Sequence, residues 1–343
     1  MIEKKDVDLE GTDQIHDWHL SSSRDGVQSI LYNPQVNLLL ETSENRIVWE
    51  NKRYEVHNAI KENLPYFILK MIGANKETFD SPKVRMKTEL DLACIQEGRD
   101  IILQKSSYFR DRLSNTLANY MVYKNGSLLL DLRSEEFLMD RKVKPLSESG
   151  LSNQLGASAL LFTSDKKIVY LKQGQRSNES TGRLAPAGSG SFDIDANWGS
   201  DIRFKDYCKI HAKRELKEES NLKEEEVISL EICGFGRYLY RCGKPEVFCV
   251  ATTTKKSEQI NIRVVEWDYQ DKRIVMTQHI EAWTKDGVLK ALNELLLHLE
   301  RTNSRPELKD DVSGPLYWNV LFARDYLSAK SEAEMEVFLN GIK

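Results

Sequence analysis

Three carboxylates fall within one turn in Arg214-Glu215-Leu216-Lys217-Glu218-Glu219-Ser220-Asn221-Leu222. On a helix, Glu215 and Glu219 share one face, and a like-charged pair at that spacing costs about 0.2–0.5 kcal/mol by itself. Lys205, Lys209, Lys213 and Lys217 recur every fourth residue and make a separate stripe. The glutamates point roughly opposite the middle of that stripe, so the lysines do not relieve them. Hard oxygen donors converging at the edge of a less polar face suit Mg²⁺ or Mn²⁺. Without its surroundings, the same segment reads equally as a solvated acidic helix end.

The elements that must position these carboxylates follow from the pattern around them. The spacing predicts a helix from about Phe204 to Ser220, with Phe204, Cys208, Ala212 and Leu216 as its less polar stripe. Upstream, Asn153 to Phe162 reads as a strand, Ser164-Asp165-Lys166-Lys167 as a turn and Ile168 to Gln173 as the return strand. A polar loop, Gln175 to Gly182, precedes Arg183-Leu184-Ala185-Pro186-Ala187-Gly188-Ser189-Gly190, a Pro/Gly turn.

Hairpin, polar loop, Pro-Gly turn and acidic helix, in that order, resemble the Nudix hydrolase family, whose signature is G-x5-E-x7-R-E-U-x-E-E-x-G-U with U aliphatic. Arg214, Glu215, Leu216, Glu218, Glu219 and Leu222 stand where the signature asks. Its first half departs. Counting back from Arg214 puts Ser200 at the glycine and Asp206 at the first glutamate. If Gly190 is the glycine instead, an insertion carrying Phe192-Asp193-Ile194-Asp195-Ala196-Asn197-Trp198 precedes the helix. The insertion is favoured because Pro186 to Gly190 resembles the family's Pro-Gly-Gly turn. Asn221 replaces the last glycine, and asparagine is the next choice for a left-handed helix end. The resemblance covers about Gly150 to Leu327.

The fold this resemblance implies is α/β: a Nudix-type α/β/α sandwich with a mixed sheet, beside an N-terminal α+β domain. The activity it implies is Mg²⁺- or Mn²⁺-dependent hydrolysis of a diphosphate linkage, in a nucleoside diphosphate joined to another group, by metal-activated water. Glu215, Glu218 and Glu219 would be the metal ligands. Arg214 would orient one of them, or simply pair with Glu218 along the helix. Gly188 and Gly190 would let backbone approach the site, or form a plain turn. Arg176 and Arg183 are candidate phosphate contacts, against the commoner reading of surface arginines. Glu281 is the candidate general base, with Glu266 its rival. Asp193 and Asp195 could add ligands, but capping of the turn is favoured. The tyrosines of Phe235 to Tyr240 read as strand residues rather than substrate contacts. The alternative is a non-catalytic nucleotide-sensing or scaffold protein on the same fold; an unrelated interaction protein with an acidic helix is a third reading.

The chain's 343 residues and net charge of −4 allow two domains. The expected division is residues 1–148, an accessory α+β domain that shapes substrate access or makes a homodimer, and 149–343, the hydrolase-like domain. Pro145 to Gly150 would link them. Charges are interspersed, so no basic stripe marks a nucleic-acid groove; the expected partner is a nucleotide-type small molecule. The polar start is unlike a signal peptide and no apolar run spans a bilayer, which together predict a cytoplasmic protein. Cys94, Cys208, Cys233, Cys242 and Cys249 lack C-x-x-C spacing, pointing to reduced thiols rather than zinc or disulfides.

In the first half, Asn45 to Asn51 and Lys52 to Val56 read as strand-turn-strand, Ala59 to Ile72 as a helix kinked at Pro65, and Ser106 to Leu117 as a helix. Tyr120 to Leu130 reads as a hairpin turning at Asn125-Gly126. After the acidic helix, Val227 to Gly234, Pro245 to Thr254 and Ile260 to Trp267 read as strands. Lys285 to Leu299 reads as an amphipathic helix, and Ser313-Gly314-Pro315 starts another running to about Leu327. Ser331 would cap a last short helix, with Glu334 three residues on.

Overall fold

A computed structural model of the chain describes residues 2–4, 19–21, 29–65, 67, 80–140, 142–173, 182–260, 274–303 and 312–342. Its centre is a mixed sheet. Strands follow the order Leu184–Pro186, Lys167–Lys172, Gly156–Thr163, Lys244–Thr253, Val227–Tyr238, Ile30–Tyr32, His19–Ser21. Gly188–Ser191 also pairs with Gly156–Thr163, and Ile274–His279 with Lys167–Lys172. Gly156–Thr163 runs parallel to Lys244–Thr253, whereas the other pairings of this sheet are antiparallel.

Side chains alternate along a strand, so the buried central strand Gly156–Thr163 feeds two cores. Ala157, Ala159 and Leu161 pack with Phe204, Cys208, Ala212 and Leu216 of the helix Phe204–Ser220. Leu160 and Phe162 pack the other way, with Leu292 and Leu295 of the helix Lys285–Asn303 and with Trp318 and Phe322 of the helix Gly314–Ala329. The result is an α/β arrangement with helices on both faces of a mixed sheet. Ser313 caps the second of these helices through Leu316 N–H at 3.3 Å, with Pro315 in its first turn. Ser331 and Glu334 form the expected capping box of the last helix, Glu332–Leu339.

Residues before 148 reach into this architecture. Ile30–Tyr32 pairs with Val227–Tyr238, and one hydrophobic cluster runs from Val84 and Leu103 through Leu155 to Leu216. A buried ion pair, Arg237 to Glu89 at 2.6 Å, crosses the same contact. A second sheet pairs Ile101–Ser107 with Ile47–Glu50 in parallel and with Pro82–Met86 antiparallel. The hairpin Tyr120–Lys124 and Ser127–Leu130 turns where predicted. Asn125 (φ 53°) and Gly126 (φ 83°) are both left-handed there, as a tight hairpin requires.

Several expectations are corrected. Lys52 to Val56 is not a return strand: Tyr54 N–H donates to Lys105 carbonyl at 2.8 Å and its ring lies under Arg85. Ser106–Leu117 is helical only after Ser107, which ends a strand. The Pro/Gly turn is two short strands, Leu184–Pro186 and Gly188–Ser191, that bind different neighbours on either side of Ala187. Of the helix expected to Ile72, Asn58–Glu62 is helical, Asn63 is a turn, and residues 64, 65 and 67 are helical again, so the segment is split just before Pro65; residues 66 and 68–72 of that expectation, and 261–267 of the predicted strand, lie outside the described residues. Among the described residues, no helix is long and apolar enough to cross a membrane.

Candidate active site

The acidic helix spans Phe204–Ser220, as its pattern predicts, and stops at Asn221 with φ 53° and ψ 29°. That left-handed residue ends the helix one position after the carboxylates. The first two lysines of the stripe are occupied elsewhere: Lys205 pairs with Glu44 at 2.8 Å, and Lys209 pairs with Glu41. Neither ammonium is therefore available to the glutamates.

Strand Gly188–Ser191 lies directly against the helix. A Cβ at Gly188 would come within 2.7 Å of the Leu216 backbone nitrogen, and one at Gly190 would overlap the Glu215 carboxylate. Gly188 thus requires glycine for its close approach to backbone, and at Gly190 a side chain would displace the Glu215 carboxylate. Between them, Ser189 N–H donates to Glu219 at 2.8 Å. Ser220 hydroxyl donates to Ala187 carbonyl at 2.7 Å, fixing the helix end to the strand corner. Glu215 is buried, Glu219 half-buried and Glu218 exposed.

Arg214 is the hub of the local charge. Its guanidinium reaches Glu215 Oε1 at 2.7 Å, Asp193 Oδ2 at 3.0 Å and Glu218 Oε1 at 3.6 Å, and donates to Ser191 carbonyl at 3.1 Å. One cation is thus shared among three carboxylates, with Glu219 nearby. Burial pushes the Glu215 carboxyl up to about 8; Arg214 pulls it down, and Glu219 and Glu218 push it up again. Carboxylates outnumber the positive charge at the helix end. Among the described residues, no three His, Cys, Asp or Glu side chains are disposed as a ready-made metal cage. The donor chemistry still fits a hard divalent cation: three carboxylates, one of them buried and short of compensating charge.

The predicted site residues divide into those the fold brings together and those it does not. Arg214, Glu215, Glu218, Glu219, Gly188 and Gly190 meet at the helix end. Ser200 and Asp206, the other placement of the signature's first half, do not: Ser200 carbonyl accepts from Trp49 Nε1 at 2.7 Å, and Asp206 pairs with Arg203 at 2.7 Å. Arg183 is half-buried, and its carbonyl accepts from Gln173 N–H at 2.8 Å. Glu281 is exposed beyond strand Ile274–His279 and pairs with Lys290 at 2.6 Å. Arg176 and Glu266 lie outside the described residues. Asp195 caps its turn, accepting from Asn197 N–H at 2.9 Å, as favoured. Asp193 does not; it bridges Lys83 and Arg214.

Sequence reasoning missed Lys83, which sits far away in the chain with no local pattern to mark it. It also missed Tyr207 and His211. These stand one turn apart beside Phe204 and Cys208, so a wider reading of the less polar stripe would have included them. His211 is buried, stacked on Phe192 at 4.2 Å and edge-on to Tyr207 at 4.5 Å. Among the described residues neither ring nitrogen has a hydrogen-bond partner. Asp195 stands 3.6 Å from Nε2, which favours a charged ring, but burial, Arg214 and Lys83 outweigh it and depress the imidazole to about 3.

No family model matches the chain, and no curated protein matches it. Among solved structures it is similar to DR0079 from Deinococcus radiodurans, at 12% identity and a TM-score of 0.31, over 50% of this chain and 83% of that one. It is also similar to a MutT protein from Methanosarcina mazei Go1, at 13% identity and a TM-score of 0.30, over 52% and 96%. Both scores are low, and the reading of the site rests on its own residues.

Proposed function

We propose that the chain is a divalent-cation-dependent hydrolase of diphosphate linkages, acting on a nucleoside diphosphate joined to another group. Residues 149–343 would supply a Nudix-type catalytic unit and residues 1–148 an accessory unit. The observation that carries this reading is the surplus of carboxylates around Arg214, packed against glycine backbone. Glu215, Glu218 and Glu219 would hold Mg²⁺ or Mn²⁺, which when bound neutralises the diphosphate and acidifies a water.

The chain's own groups then have defined tasks. Arg214 fixes the Glu215 carboxylate through a charge-assisted bond. Ser189 N–H fixes Glu219. Gly190, lacking a side chain, leaves the buried carboxylate its space. Arg183 and Arg176 are proposed for the phosphates. Glu281 keeps its proposed role as base only if a substrate draws it from Lys290.

The experiment is a panel of nucleoside-diphosphate derivatives with Mg²⁺ or Mn²⁺, run beside Glu219→Gln. Turnover by the parent that collapses in the variant supports the hydrolase. A sensing protein on the same fold is the second reading, favoured by the altered first half of the signature and by the segment inserted between Gly190 and the acidic helix. It expects tight nucleotide binding with no turnover across the panel. Neither binding nor turnover sinks both.

A further inference from the structure

Between Gly190 and the acidic helix lies a segment that the rest of the site does not need, and two strands of the first half of the chain hold it. Pro82–Met86 takes one end: Val84 N–H donates to Phe192 carbonyl at 3.0 Å, and Lys83 bridges Asp193. Ile47–Glu50 takes the other. Ile47 N–H donates to Ile202 carbonyl at 3.3 Å, and Trp49 packs on Trp198 with ring centres 4.6 Å apart. The segment is therefore registered against the first half of the chain by backbone and side chain together.

Asp193 is the residue of this segment whose side chain reaches the site, beside the Ser191 carbonyl that also accepts from Arg214. One of its oxygens takes Lys83 Nζ, and the other takes Arg214 at 3.0 Å. Arg214 in turn holds Glu215 at 2.7 Å. A continuous line of alternating charge, Lys83–Asp193–Arg214–Glu215, thus joins the first half of the chain to the buried carboxylate.

We propose that Asp193 and Lys83 are positioning residues for Glu215, so that the first half of the chain sets the cation affinity of the acidic helix. This rests on the reading of that helix as a cation site. Asp193 does two things there. It fixes one end of the Arg214 guanidinium, so that the other end faces Glu215. It also absorbs part of the Arg214 charge, which would otherwise compete with a cation for the Glu215 oxygens. Lys83 holds Asp193 in place. Removing Asp193 acts on both counts toward weaker cation binding; removing Lys83 loosens Asp193 but also takes a positive charge from the neighbourhood, so the two parts of its effect oppose each other.

The test is Mn²⁺ titration of the full chain, followed by water-proton relaxation. Partners one shell from a metal ligand change metal affinity by about 10–100-fold. Asp193→Asn should weaken Mn²⁺ binding by about tenfold, and Lys83→Met less. The double variant should be no weaker than Asp193→Asn alone, because both act on one line. Asp193→Glu should restore part of the loss. Variants that melt earlier yet bind Mn²⁺ like the parent would show a structural role only and overturn the proposal. If Asp193→Asn does not fold, the Nε–H resonance of Arg214 in Lys83→Met decides: unchanged from the parent, it overturns the positioning. If the parent itself binds no Mn²⁺, the cation-site reading fails. The Nε–H resonance of Arg214, in ¹⁵N-arginine-labelled protein without metal, then decides whether the line exists: unchanged by Asp193→Asn, it overturns the positioning as well.

Discussion

The two faces of the central sheet are built on opposite terms. On one face, Leu292, Leu295, Trp318 and Phe322 close over Leu160 and Phe162 in an apolar layer. Its buried Asn319 donates its amide to Cys249 carbonyl at 3.0 Å, and its own oxygen is left without a hydrogen bond among the described residues. On the other face, the helix Phe204–Ser220 buries Glu215, His211 and Tyr207 among its apolar residues. Burial pushes Glu215 up, depresses His211, and leaves both imidazole nitrogens without hydrogen bonds among the described residues. A desolvated polar group without a partner typically costs about 1–3 kcal/mol. One face thus supplies the stability that the other spends, which is how perturbed groups gather at working sites.

The largest test breaks the apolar face. Trp318 is fully buried, and Trp318→Ala should cost about 3–5 kcal/mol by lost packing and the cavity left behind. Urea denaturation measures it. The Mn²⁺ affinity of the folded fraction should stay at the parent's value; a matching loss would mean that the two faces cannot be separated. The converse test strikes the polar face. Glu219→Gln should lower diphosphate hydrolysis by about 10²–10³-fold, the scale of losing one group that stabilises transition-state charge. Its urea midpoint should hold, because a glutamine oxygen still accepts from Ser189 N–H. Hydrolysis that survives the substitution would remove Glu219 from the site.

The difference between the faces also explains what could be read from the sequence. The acidic helix and its left-handed end at Asn221 are local: a few neighbouring residues dictate them, and each is where the pattern puts it; the Gly188–Gly190 approach to that helix is a long-range contact, signalled by the glycines alone. The C-terminal helices Gly314–Ala329 and Glu332–Leu339 begin at caps that are equally local. What the sequence hid depends on pairs distant in the chain. Asp193 looked like a turn cap because Lys83 could not be known to stand beside it. Lys52–Val56 has strand-like residues, yet Ile47–Glu50 pairs with Ile101–Ser107 on one edge and Ile47 N–H donates to Ile202 carbonyl, while Tyr54 N–H donates to Lys105 carbonyl instead. His211 stands one turn from Tyr207 at the edge of the less polar stripe, but a lone histidine between Lys209 and Lys213 masks that placement.

His211 offers a pH test of the same contrast. The folded ring stays neutral down to about pH 3, whereas the unfolded ring takes its proton near its model value of 6.5. Its contribution is therefore fully present above pH 6.5 and is lost as the pH falls toward 3. Between pH 7 and pH 5 that loss is about 2 kcal/mol. His211→Phe keeps a ring against Phe192 and has no proton to take. Unfolding free energies at the two pH values should fall further apart in the parent than in His211→Phe; equal differences would show that the imidazole is not held neutral.

The smallest effect is expected at Asn221, and it separates the frame of the polar face from its chemistry. At φ 53° the residue occupies backbone space that most L-residues avoid. Asparagine tolerates this region better than alanine, and glycine adopts it without penalty. Asn221→Ala should therefore cost about 1 kcal/mol, and Asn221→Gly should change stability by only a few tenths, roughly, in either direction. Asn221 is exposed, so neither substitution disturbs packing. The order of melting temperatures, glycine level with or above asparagine and alanine below both, is the measurement. Alanine level with glycine would mean that the helix end relaxes out of the left-handed turn and no longer helps to hold Glu219, two residues earlier, against Ser189 N–H. Mn²⁺ affinity should then weaken in Asn221→Ala, whereas a turn that persists leaves it unchanged.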